Sequence, residues 1–98
     1  MFKIVDNQLV DESSGNKFDT FAMLINKENG ALMCCGHANR VDKVYNNLAK
    51  CDGKDGIKCV GTVLSFKDLN DSTCDKINKI VSDKVYALEL VKSGKLEH

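Results

Sequence analysis

The first third of the chain has the two-residue periodicity of β-strands. Successive side chains of a strand point to opposite faces, so apolar residues at alternate positions indicate a half-buried strand. Residues 2–5 and 8–10 fit a short strand, or a strand broken at Asp6-Asn7. Residues 17–26 predict a stronger strand, which begins with this alternation and then becomes wholly apolar.

A hairpin is predicted directly after this stronger strand. Asn29-Gly30 supplies the positive φ angles of a tight turn, so residues 31–35 should return as an antiparallel strand. Gly36 then ends that strand, and Asn39 is expected to cap a helix.

The middle of the chain predicts one amphipathic helix and one strand. The helix ends near Lys50, and its apolar residues recur at steps of three and four: Ala38, Val41, Val44, Tyr45 and Leu48. Residues 57–64 form a compact apolar segment rich in valine, which predicts a central strand. A hairpin, a helix and a returning strand together predict an α+β fold: a two-layer α/β sandwich with a mostly antiparallel sheet packed on two to three helices.

The last third of the chain predicts two further helices. Apolar residues recur there at three- or four-residue spacing, which favours helices over residues 66–82 and 84–93. Asp83 would cap the second of these helices, and Gly94 would end it. Residues 85–91 would also fit a β-strand, so the sequence leaves both alternatives open.

The length of the chain suits one domain with one core. Of its 98 residues, we assign 1–95 to a single α/β domain and 96–98, Leu-Glu-His, to the remnant of a vector-derived tag. The longest strictly apolar run, residues 21–25, is far shorter than the roughly 20 residues of a membrane span. The first residues also lack the apolar core of a signal peptide. These features predict a cytoplasmic protein with no membrane partner.

Charge and cysteine content narrow the expected partners. The 14 basic and 14 acidic residues balance each other and are interspersed along the chain, so no basic surface for nucleic acid is predicted. The five cysteines are odd in number, and Cys34 and Cys35 are adjacent. In a reducing cytosol we expect them to be free thiols.

The predicted strand-to-helix junction around Cys35 carries the most informative chemistry. A helix N-terminus presents unpaired N–H groups and partial positive charge, which attract anions and lower the pKa of a nearby thiol. Only one of Cys34 and Cys35 can lie beside it, because their side chains point to opposite faces of the strand. The ligand-binding candidates, with a small anion as the expected ligand, are Cys35, Gly36, His37, Ala38 and Asn39. The alternative is structural, since a free cysteine packs as a small hydrophobe and glycine suits a turn.

Motifs for other chemistry are absent from the sequence. It has no Cys-x-x-Cys pair, so no metal site is predicted. The acidic loop at residues 52–56 lacks the third acidic position and the closing glutamate of a calcium loop. The glycine-rich loops of nucleotide-binding proteins and the nucleophile elbow of hydrolases are also missing, so no cofactor is expected.

The order of these signals resembles a known family. Three segments carry the likeness, in this order: Cys35-Gly36-His37-Ala38-Asn39, Val60-Gly61-Thr62-Val63 and Ser65-Phe66-Lys67-Asp68-Leu69. They are similar to the YunC-like domain family of unknown function, whose members carry Met-Cys-Gly-x-x-Asp/Asn before a helix and Gly-Val-x-Thr-x-Glu-Glu-Leu after a strand. The likeness covers residues 17–72, with Lys67 and Asp68 in place of the paired glutamates. It implies a two-layer α/β sandwich and self-association, and it implies no particular activity.

Two classes of function follow from the sequence. The first is a non-catalytic accessory protein that binds a small ligand or forms a homo-oligomer. The second is a thiol-dependent enzyme or redox protein, with Cys35 as the nucleophile and His37 assisting it. We favour the first, because a cysteine enzyme also needs a group that orients its base and an oxyanion site, and the sequence identifies neither. In either case, residues 33–39 should be at least partly accessible to solvent.

Overall fold

Ten short elements make up the part of the chain that the computed structural model describes, residues 1–56 and 58–93. In chain order they are β1 (Phe2–Val5), β2 (Gln8–Asp11), β3 (Lys17–Phe18), β4 (Phe21–Asn26), β5 (Leu32–Gly36), α1 (Ala38–Cys51), a 3₁₀ turn (Lys54–Gly56), β6 (Gly61–Phe66), α2 (Asp71–Ser82) and α3 (Lys84–Ser93). The helices and antiparallel sheets confirm the predicted α+β class. Ile57, the predicted helix stop Gly94 and the predicted tag remnant 96–98 lie outside the described residues.

The strands form two antiparallel sheets of three strands each. In one sheet β2 lies between β1 and β3, and in the other β4 lies between β5 and β6. The prediction of a central strand over residues 57–64 is wrong, because β6 begins at Gly61, ends at Phe66 and lies at an edge. β4 is the central strand of this sheet, and its continuous apolar run suits burial on both faces.

β4 is covered on both faces, and its side chains divide into two sets. Phe21, Met23 and Ile25 face a large cluster to which β2, β3, β6, α2 and α3 contribute. Ala22 and Leu24 face the opposite way and pack with α1. The predicted apolar stripe of α1 is confirmed, since this second cluster contains Ala38, Val41, Val44, Tyr45 and Leu48. Helices therefore lie on both sides of the β5-β4-β6 sheet.

Short turns shape the sheet of β1, β2 and β3. Asp6 and Asn7 join β1 to β2 and have positive φ angles of 52° and 64°, a region that Asp and Asn tolerate better than most residues. Of the two predicted alternatives, the strand broken at Asp6-Asn7 is confirmed, and its two parts form a hairpin. The predicted strand over 17–26 is divided at Asp19-Thr20, so β3 and β4 belong to different sheets.

The predicted hairpin between β4 and β5 is confirmed. Of its Asn29-Gly30 pair, Gly30 has a positive φ of 78°. The Gly30 N–H donates to the Asn26 carbonyl oxygen at 2.8 Å, which closes the turn. A Cβ atom at Gly30 would collide with the carbonyl oxygen of Lys84, so the turn packs closely against the start of α3.

The start of α1 differs from the prediction. The helix begins at Ala38 with His37 at the N-cap position, so the expectation that Asn39 caps it is wrong. Gly36 is the last residue of β5, and the chain enters the helix only two residues later. Asn39 is therefore already inside the first turn.

The start of α2 also differs from the prediction. Phe66 is the last residue of β6, where it pairs with Phe21, so a helix beginning at residue 66 is wrong. The helix begins after Asn70, whose side chain accepts from the Thr73 N–H while the Thr73 hydroxyl accepts from the Asn70 N–H. This reciprocal capping box satisfies two backbone donors and fixes the boundary.

The segment 84–93 is a helix, as predicted, and not the alternative strand. Asp83 is confirmed as its cap, because the Asp83 carboxylate accepts from the Tyr86 N–H at 3.1 Å. None of the described helices combines the length and the apolar character that a membrane crossing requires.

Gly30→Ala should destabilise the protein more than Gly15→Ala does. Both glycines have φ angles near +78° (Gly30 +78°, Gly15 +77°), so each alanine costs about 1–2 kcal/mol through its left-handed backbone. At Gly30 the added Cβ also meets Lys84, whereas at Gly15 it meets no atom within 4 Å. We expect an additional loss of about 1–3 kcal/mol at Gly30 in the free energy of unfolding, measured with urea. Equal losses would show that the hairpin does not pack on α3.

Candidate functional site

Cys34 and Cys35 lie on opposite faces of β5, as the strand periodicity predicts. Cys34 packs with the cluster that α1 covers, and Cys35 packs with the cluster on the other face of the sheet. Both cysteines are half-buried, while Met33 and His37 are exposed. The junction between β5 and α1 is therefore partly accessible to solvent, as expected.

Cys35 lines a pocket of about 320 Å³ at the point where β5 leads into α1. Its lining comes from the β1-β2-β3 sheet with the loop before β3, and from β4, β5 and α1: Phe2, Asp11, Asn16, Lys17, Phe18, Phe21, Cys35, Gly36, His37 and Arg40. We call it the Cys35 pocket. Of the five predicted ligand-binding residues, Cys35, Gly36 and His37 line it. Ala38 and Asn39 lie in the first turn of α1 and are not part of this lining.

The start of α1 is left without internal compensation for its partial positive charge. The side chain of His37 makes no capping hydrogen bond, and no acidic residue lies in the first turn. The His37 imidazole packs instead on the Phe18 ring, with the ring centroids 5.0 Å apart. Arg40 adds a cation to this first turn, where the helix dipole disfavours one. The helix start is therefore electropositive on the side that faces the pocket.

Two cationic side chains line the Cys35 pocket from different elements. Lys17 belongs to β3 and Arg40 to α1. Residues 1–56 and 58–93 contain one side-chain ion pair, which joins Lys58 Nζ to Glu28 Oε1 at 3.4 Å. Lys17 and Arg40 thus have no acidic partner among the described residues.

Asp11 is the acidic side chain of the lining. Its Oδ1 accepts hydrogen bonds from the Ser13 hydroxyl at 2.7 Å and from the Ser13 N–H at 3.0 Å. These bonds hold the pKa of the Asp11 carboxyl below its usual value, so the group is ionised at neutral pH. The two cations still outnumber this one carboxylate.

The surroundings of the Cys35 thiol disfavour its ionisation. Burial raises its pKa, the neighbouring Cys34 and Asp11 raise it further, and Arg40 lowers it by less. The expectation that the helix start would lower this pKa is therefore wrong, because desolvation outweighs the nearby positive charge. At neutral pH the side chain is a protonated thiol.

The sequence does not predict that Asp11, Lys17 and Arg40 belong to the site. Arg40 has a local signal, since it follows His37 by three residues and so falls in the first turn of α1. Asp11 and Lys17 have none, because they reach the pocket only through the pairing of β2 with β3 and the packing of that sheet on β4.

Neither a metal-ligand cluster nor similarity to known proteins gives further information about the Cys35 pocket. Among residues 1–56 and 58–93, no three His, Cys, Asp or Glu side chains converge as a metal centre would require. No protein-family model matches the chain, and no curated protein or solved structure is significantly similar to it. The resemblance to the YunC-like family stays a prediction.

Alkylation should modify Cys51 well before Cys35. Cys51 is exposed, whereas Cys35 is half-buried and has a raised pKa. Because the thiolate is the reacting form and burial also restricts access, iodoacetamide at neutral pH should label Cys35 several times more slowly than Cys51. Peptide mass spectrometry over time gives both rates, and fragmentation separates Cys35 from Cys34. Faster labelling of Cys35 would contradict the raised pKa and favour the nucleophile hypothesis.

Proposed function

We propose that the protein is a binding domain for a small anionic ligand, which occupies the Cys35 pocket. The observation that carries this proposal is the presence of two cations, Lys17 and Arg40, without acidic partners among the described residues, on the wall of one concave site. The volume of about 320 Å³ lies within the range of small-ligand sites.

The lining supplies complementary ways to hold an anion. The guanidinium of Arg40 is a planar fork of donors that matches a carboxylate or phosphate, and Lys17 adds a compact point charge from another wall. The start of α1 contributes partial positive charge. Phe18 and Phe21, packed edge to face at 5.2 Å between centroids, give the same pocket an apolar side.

A thiol-dependent reaction is the weaker alternative. Cys35 holds its proton at neutral pH because burial raises its pKa. The ring contact of His37 is with Phe18, and no hydrogen bond within the described residues orients the imidazole as a base. A nucleophilic mechanism needs both a reactive thiolate and an oriented base, so the lining supports binding better than catalysis.

Self-association and a cytoplasmic location stay predictions. β5 lies at an edge of its sheet and exposes Leu32 and Met33, which supports contact with a second copy because an apolar edge strand tends to pair. Native mass spectrometry of freshly purified, reduced protein gives the number of subunits. It also detects any ligand that remains bound.

Arg40→Met should weaken anion binding by about tenfold or more and slightly stabilise the fold. The variant loses a charge-assisted hydrogen bond, worth about 1.5–3 kcal/mol. It also removes a cation from a helix N-terminus, which gains about 0.3–1 kcal/mol. NMR titration with acetate and with inorganic phosphate, followed at the Gly36 and His37 amides, measures the affinity. Thermal denaturation measures the stability.

Lys50→Met is the matched control for this experiment. Lys50 lies in the last turn of the same helix and is not part of the pocket lining. The control should keep the wild-type anion affinity and lose a little stability, since a cation is favourable at a helix C-terminus. The proposal fails if neither anion shifts the Gly36 and His37 amides of the wild type, or if Arg40→Met binds both anions as tightly as the wild type.

A further inference from the structure

A second pocket, of about 310 Å³, adjoins the Cys35 pocket. Its walls include Leu32 of β5 and Val81 of α2, and most of the surface that it exposes is apolar. We call it the apolar pocket. Three side chains belong to both linings, and the two pockets meet there: Phe2, Asp11 and Cys35.

The polar side chains around the apolar pocket are already engaged within the protein. Asn78 accepts from the Phe2 N–H and donates to the Phe2 carbonyl oxygen, with both distances at 2.9 Å. The Ser82 hydroxyl donates to the Asn78 carbonyl oxygen, also at 2.9 Å. Leu32 and Val81, by contrast, remain 36% and 43% exposed. An apolar occupant would cover these two side chains without leaving polar groups unsatisfied.

Asp11 determines the orientation of an occupant that carries a negative charge. Its ionised carboxylate lines the junction of the two pockets and repels an anion there. Met1, whose α-ammonium helps to lower the pKa of Asp11, lines the apolar pocket, whereas Lys17 and Arg40, the two cationic side chains of the linings, belong to the Cys35 pocket alone. The negative end of the occupant therefore lies among these cations, and its remainder extends past the junction.

We propose that the two pockets together bind one amphiphilic monocarboxylate, of the class of medium-chain fatty acids. The carboxylate lies in the Cys35 pocket and the hydrocarbon chain in the apolar pocket. This inference rests on the proposed function and names its ligand class. The chain passes Phe2 and Cys35, whose aromatic ring and protonated thiol are suitable apolar contacts.

A homologous series of carboxylates tests the inference in the wild-type protein. Affinities for acetate, butanoate, hexanoate and octanoate, measured by calorimetry and NMR below micellar concentrations, should rise along the series. The rise should reach up to about fourfold for each methylene that is fully buried. Octanoate should also shift the methyl signals of Leu32 and Val81, which acetate should leave in place.

Val81→Trp is designed to fill the apolar pocket. Because Val81 is partly exposed, the larger ring has room to enter the pocket without displacing the core. The variant should keep the acetate affinity of the wild type and lose the dependence on chain length. Val85→Trp is the matched control, since Val85 is 68% exposed on α3 and lines neither pocket. It should behave as the wild type does.

The outcomes separate this inference from the proposed function. A flat series in the wild type, with anion binding that still depends on Arg40, would overturn the fatty-acid assignment alone. Octylamine or octanol binding as tightly as octanoate would also overturn it, because Asp11 or the apolar surface would then dominate recognition. Octanoate binding that Arg40→Met leaves unchanged would overturn the proposed function itself.

Discussion

The burial of β4 on both faces is the constraint on which the rest of the structure depends. Every side chain from Phe21 to Ile25 is fully inaccessible to solvent, and strand alternation divides these side chains into two sets that need separate cover. α1 covers one set, and the β1-β2-β3 sheet with α2 and α3 covers the other. Each large buried side chain contributes about 1.5–3 kcal/mol, against a typical total stability of about 5–15 kcal/mol. Loss of the elements on either face of β4 would therefore remove a large share of the stability. The elements on the two faces depend on each other through this strand.

The candidate site is a consequence of the same arrangement. Because Cys34 pairs with Leu24 of β4 and Cys35 with Met23, Cys34 must turn toward α1 and Cys35 toward the cluster on the other face. Asp19 and Thr20 then separate β3 from β4, so that these two strands belong to different sheets. The Cys35 pocket lies where β3 and β4 diverge beside the start of α1, which explains why Lys17 and Arg40 line the same space although 22 positions separate them in the sequence.

Local patterns predict the elements of this fold better than they predict its arrangement. The stripe of α1, the β4–β5 hairpin and the Asp83 cap follow from neighbouring residues, and each is confirmed. The apolar character of residues 57–64 predicts a central strand, but position in a sheet depends on which strand has two apolar faces to bury. The helix expected from residue 66 begins later for a similar reason, since pairing with β4 outweighs the helical spacing of Phe66. In the site, three of the five predicted residues line the pocket, while Asp11 and Lys17 depend on long-range sheet packing that no local signal reports.

Two residues at the start of α1 weaken the helix, and both support the proposed binding site. His37 occupies an N-cap position where Ser, Thr, Asp or Asn would add about 0.5–2 kcal/mol, and its side chain makes no capping bond. Arg40 places a cation where the helix dipole favours an acid. His37 and Arg40 each weaken the helix at their positions, and both side chains line the same pocket. Departures from local optimality are expected where a protein meets its ligand, because charge that is unfavourable in the free protein becomes favourable when an anion arrives. The uncapped His37 position and the Arg40 cation both leave the helix start electropositive. This shared effect is the physical reason for proposing that an anionic group binds at this end of the fold.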